Sequence, residues 1–122
     1  MDRDIENQIK QLNQKLRNVF EEQDRNQSAI QTQEQGEADF HEWKGRSNRL
    51  FNRILETWHN DRELSHFFMN IRQEAQHIER KLTFELENQK ETLLKERRDL
   101  SNLENDRSYQ QQQLAREVNA RV

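Results

Sequence analysis

The chain has 122 residues, of which 35% are charged and only 30% hydrophobic, with a mean hydropathy of -1.39 and a net charge of -3. That is enough for one small domain but too polar for a broad core; the near-neutral net charge removes self-repulsion as a reason to stay open. The absence of proline, the two glycines and the dominance of Leu, Glu, Gln, Lys and Arg exclude a turn-rich sheet protein and favour helices, which pack along a narrow apolar seam.

Without cysteine there is no disulfide framework. No apolar run approaches the ~20 residues that span a bilayer, so no membrane insertion is expected. Met1-Asp2-Arg3-Asp4-Ile5 has no signal-peptide core, and a cytoplasmic protein is expected. A sequence pI of about 5.8 argues against nucleic-acid binding, which requires a basic face.

The first predicted helix covers about 2–44. Ile5, Ile9, Leu12, Leu16 and Val19 are spaced by four, three, four and three residues, a heptad seam. The seam continues onto the polar Gln23 and Asn26, which are expected to hold register, and recovers at Ile30. Gln31 to Glu37 is a weak stretch where the helix could fray, or break at Gly36; Phe40 and Trp43 then restore apolar content. Gly45 is the predicted helix stop and Ser47 the N-cap of the next helix, which places the turn at about 44–47.

The second predicted helix covers about 47–118. Its seam is Phe51, Ile54 or Leu55, Trp58, Phe68, Ile71, Ala75, Ile78, Leu82, Leu86, Leu93, Leu100, Leu103, Leu114 and Val118. Asn60-Asp61-Arg62-Glu63 interrupts it. The preferred reading runs the helix straight through, since Gly and Pro are missing there; the alternative breaks it, with Asn60 as a cap. The expected fold is all-α, a single elongated antiparallel helical hairpin whose second helix is the longer: about 64 Å before the turn and about 105 Å after it at 1.5 Å per residue. The first arm would cover the second only to about residue 90, leaving Leu93, Leu94, Leu100, Leu103 and Leu114 without a cover. A chain with more apolar seam than it can bury calls for a partner.

Motifs for chemistry are weak. Glu63-x-x-His66 and Glu74-x-x-His77 have the spacing of di-metal bundle ligands, but the pairs stand about 16 Å apart on one continuous helix. His41 and His59 have no partner at ligand spacing. No nucleophile motif or phosphate loop occurs, so no catalytic, metal or cofactor site is expected and the protein is not expected to be an enzyme. Lys95-Glu96-Arg97-Arg98 reads as a solvated face. The expected partner-binding residues are Trp43, Gly45, Phe51, Trp58, Phe67, Phe68, Leu93 and Leu100. Phe51, Trp58 and Phe68 fall near one stripe and serve core packing as readily as docking. Trp43 and Phe67 are the stronger docking candidates, since adjacent large apolar residues cannot all face one thin seam.

Trp43-Lys44-Gly45, at a predicted inter-helix turn, resembles the Trp-x-Gly turn of the WXG (Esx-type) superfamily of small helical hairpins linked to type VII secretion in Gram-positive bacteria. Ser47-x-Arg49-Leu50-Phe51, Glu56-x-Trp58-x-x-Asp61-x-Glu63 and Phe67-Phe68, followed by a Leu/Glu/Arg-rich tail, resemble the second family of Lap-type helical proteins encoded beside LXG toxins. The resemblance implies a targeting factor or chaperone that binds the N-terminal LXG domain of a cognate toxin for a type VIIb apparatus. It leaves co-export with the toxin as an open alternative to a purely cytoplasmic life. Type VII export signals place an acid four residues after an aromatic near the end of helix two; here Tyr109 is followed by Gln113 and Phe84 by Asn88. Phe20 and Asp24 match in the first helix, and composition alone predicts about one such match in the whole chain. The departure implies that a second small WXG-like protein on the same toxin supplies the signal. The rival reading is a homodimeric coiled-coil or four-helix scaffold.

Overall fold

A computed structural model describes residues 2–121. The fold is an all-α helical hairpin: α1 spans Asp2–Thr57, 56 residues, and α2 spans Arg62–Arg121, 60 residues. The second helix is the longer, as expected, but the turn lies at 58–61 and not at 44–47. α1 runs on through Gly36 and Gly45, and neither glycine has a positive φ. The reason is phase. Ile5, Leu12, Val19, Asn26, Gln33, Phe40, Ser47 and Ile54 stand seven apart, so the seam crosses Gly45 without a slip. Glycine costs about 1 kcal/mol against alanine in a helix interior, which does not end a helix whose packing face continues beyond it. Ser47 is therefore a half-buried seam residue instead of a cap.

The turn is closed without glycine or proline. The carbonyl of Trp58 accepts the Asp61 N–H at 3.0 Å and the Ser65 hydroxyl at 2.7 Å. Asp61 is the N-cap of α2: its Oδ1 accepts the Leu64 N–H at 3.1 Å, while its carbonyl accepts the first helical bond from the Ser65 N–H at 2.9 Å. Of the two readings of 60–63 the break is the one adopted, with the cap one residue beyond Asn60.

The chain divides into two compact units, Met1–Ile30 with Thr92–Val122, and Gln31–Glu91. In the first unit Ile5, Leu12, Leu16, Val19 and Ile30 of α1 and Leu100 of α2 are buried. Asn26 is buried among them and donates its Nδ2 to the Leu93 carbonyl at 3.0 Å, and Gln23 donates to Glu104 Oε2 at 2.8 Å. The polar seam positions are thus bonded from one helix to the other. The expectation of an uncovered tail is corrected here. With the turn at 58–61 the early residues of α1 lie against the end of α2; Leu93, Leu94, Leu103 and Leu114 are half-buried.

The second unit is built differently. Its buried side chains among the described residues are polar, Gln33 and Glu79. Gln33 donates to the Leu86 carbonyl at 3.2 Å and to Glu37 at 2.7 Å. The half-buried residues of α2 here are Leu64, Ser65, Phe68, Ile71, Arg72, Ala75, Gln76, Thr83 and Leu86, and the Nε of Arg72 is buried without a hydrogen-bond partner. Ile78 and Leu82, expected in the α2 seam, point outward, and Glu79 and Thr83 take the inward positions.

Candidate docking face

The hairpin of the second unit has two unlike sides. At 100° per residue, Trp43 and Leu50 lie about a quarter-turn from the Phe40–Ser47–Phe51 seam of α1. Phe67, Ile78 and Leu82 lie to one side of the Phe68–Ala75–Glu79–Leu86 seam of α2 in the same rotational sense. In an antiparallel pair of right-handed helices the same sense leads to the same side, so these residues form one face. Four of them are about half exposed: Trp43 45%, Leu50 55%, Phe67 56% and Ile78 53%. The half-buried Ile54 and Ile71 join them to the seam. The opposite side is a shallow groove with the apolar Ala38, Phe40 and Leu86 at its floor and Glu34, Glu37, His41, Lys44, Thr83 and Glu87 around them. Phe84 stands exposed on that side, beside Lys44, Gln76, Arg80 and Glu87.

Each expected docking residue can now be placed. Trp43 is exposed and stacks on Phe40 with ring centroids 5.9 Å apart. Gly45 is half-buried inside α1, and a Cβ there would meet the Arg49 guanidinium at 3.6 Å, an ordinary contact. Phe51 is half-buried on the seam, and Trp58 is exposed in the turn. Phe67 is exposed and meets the half-buried Phe68 edge-on at 5.6 Å. Leu100 is buried in the first unit, and Leu93 is half-buried there with its carbonyl accepting the Asn26 side-chain amide. Residues missed by sequence reasoning are Leu50, Ile78 and Leu82. Phe67, Ile71, Ile78 and Leu82 have helical spacing among themselves, and that second stripe was the available signal.

Electrostatically the face is framed rather than covered. Asp39 and Arg46 lie on its α1 edge, and Glu74 and Lys81 on its α2 edge, all exposed. The one salt bridge among the described residues, Arg46–Glu42, runs along the surface of α1. Exposed pairs of this kind contribute about 0.3–0.5 kcal/mol. Among the described residues no three His, Asp or Glu side chains are grouped to hold a metal ion, and no helix is long and apolar enough to cross a membrane.

A family model described as a protein of unknown function, DUF3958, matches residues 7–114. No curated protein and no solved structure matches the chain.

Proposed function

The chain belongs to the DUF3958 family, and from the Lap-type resemblance of Ser47–Phe68 and the apolar face of the second unit we propose that it is a targeting factor for an LXG toxin. In this reading it binds the N-terminal helical domain of a cognate toxin and helps direct it to a type VIIb secretion apparatus. The observation that carries the reading is the position of the apolar side chains. A hairpin that keeps Gln33 and Glu79 inside and Trp43, Leu50, Phe67 and Ile78 outside has its larger apolar surface turned toward another molecule. Helices of a client would lie along this face, with the aromatic rings as anchors. Such a complex shields apolar surface on the toxin before export. The export signal comes from a second small WXG-like protein on the same client, since Tyr109 and Phe84 lack the acid four residues later.

The test is co-expression with the N-terminal helical domain of a neighbouring LXG protein, followed by size exclusion with light scattering. The expected result is a complex near one-to-one that is lost on Trp43→Ala with Phe67→Ala and kept on Phe84→Ala. No complex with wild-type protein, at retained helicity, would overturn the reading.

A further inference from the structure

We infer that the apolar face of the second unit is self-complementary, and that without another partner it is covered by a second copy of this chain in a four-helix arrangement. This does not rest on the toxin reading, and either can fail alone.

Asn26 reaches the Leu93 carbonyl in the first unit, and Gln33 the Leu86 carbonyl in the second. Both pairs of numbers add to 119, so residues whose numbers add to about 120 stand level across the hairpin. By that rule Asp39 is level with Lys81, and Arg46 with Glu74. Each pair is of opposite sign. Its members stand on the two outer edges of the face, with the apolar strip between them, and no salt bridge joins them within the chain.

A two-fold axis parallel to the helices would place α1 of one copy over α2 of the other, face to face and antiparallel. The axis preserves level. Arg46 then meets the partner's Glu74, and Asp39 the partner's Lys81; the symmetry makes each pair twice. The apolar strips close on one another between these edges. The other in-plane axis would stack α1 on α1 and α2 on α2, setting Asp39 against the partner's Arg46 and Glu74 against the partner's Lys81; reversing both charges of one edge leaves those pairs matched, so the edge variants below separate the two arrangements. A face destined only for an unrelated partner has no reason to alternate charge at matching levels on its own two edges. Complementary charges of this kind select register and partner.

The test uses the full chain and its sedimentation mass across a dilution series at low salt. Wild-type protein is expected to reach twice its 15.0 kDa mass. The α1-edge variant Asp39→Lys/Arg46→Glu and the α2-edge variant Glu74→Lys/Lys81→Glu should each weaken self-association by roughly tenfold or more. Mixed one-to-one, the two variants should recover wild-type association, because reversed edges match again. All four positions are exposed, and circular dichroism should show unchanged helicity. Ile78→Ser with Leu82→Ser should give monomer. A wild-type chain that stays monomeric, an edge variant that associates as well as wild type, or a mixture no better than its components would each overturn the inference. In the first case the face serves a different chain.

Discussion

The two units use one helical register to opposite ends. In the first, the inward positions of α1 are filled by Ile5, Leu12, Leu16, Val19 and Ile30, with the bonded Asn26 among them and the Gln23–Glu104 bond and the Arg107 Nε beside them. In the second, the same register brings in Gln33, Phe40, Ser47 and Ile54 against Arg72, Ala75, Glu79 and Leu86. Among the described residues, eight of the ten large apolar side chains that stand exposed belong to the second unit. Stability and recognition are thereby separated along one chain. Aliphatic residues at the seam hold the first unit together, whereas the second keeps Phe40, Phe51 and Phe68 half-buried and leaves Trp43, Trp58, Phe67 and Phe84 exposed, where burial contributes only when another molecule arrives. A fully buried large apolar side chain stabilises by about 1.5–3 kcal/mol, so moving several of them from seam to surface is a large displacement of binding energy.

The sharpest way to break this comparison is to truncate one residue in each unit. Leu16→Ala should cost about 2–5 kcal/mol in urea unfolding, since it opens a cavity in a thin seam. Ile78→Ala, measured at a dilution where the chain is monomeric, should change stability by no more than about 0.5 kcal/mol. Equal losses would mean that the second unit depends on its outer stripe for folding. Next in size, Asp61→Ala removes the cap that holds the Leu64 N–H and should cost about 1 kcal/mol, read as a fall of a few degrees in Tm. Smaller, and of opposite sign, Gly45→Ala should stabilise by about 0.5–1 kcal/mol, because the added Cβ meets only the Arg49 side chain and the backbone is already helical. A drop in Tm would argue for a turn at that glycine. Hydrogen exchange sharpens the contrast without any mutation: amides of residues 12–30 should be protected more strongly than those of 40–57, as expected where fewer buried apolar contacts resist local opening.

Helix class and the first unit's core could be read from spacing alone. Ile5, Leu12, Leu16, Val19 and Ile30 leave a single apolar stripe on an otherwise polar helix, and only one face can be buried. Asn26 could likewise be recognised as a polar seam residue, because the stripe on either side of it fixes its phase. The exposure of Trp43 and Phe67 followed from crowding: two large neighbours cannot both face a seam one helix wide. The turn was decided at tertiary level. Gly45 carries a local stop preference worth about 1 kcal/mol, and the seven-residue phase running on to Ile54 outweighs it once a partner helix is present to reward that phase. The inward face of α2 was decided there too. Between Leu64 and Leu86 that helix offers two apolar stripes less than a quarter-turn apart, Phe68–Ala75–Leu86 and Phe67–Ile71–Ile78–Leu82. Spacing cannot choose between stripes that are both helical. The choice is made by what stands opposite, and α1 presents Gln33, Lys44, Ser47 and Asn48 over much of that length, so Glu79 and Thr83 turn inward and the second stripe is left facing out.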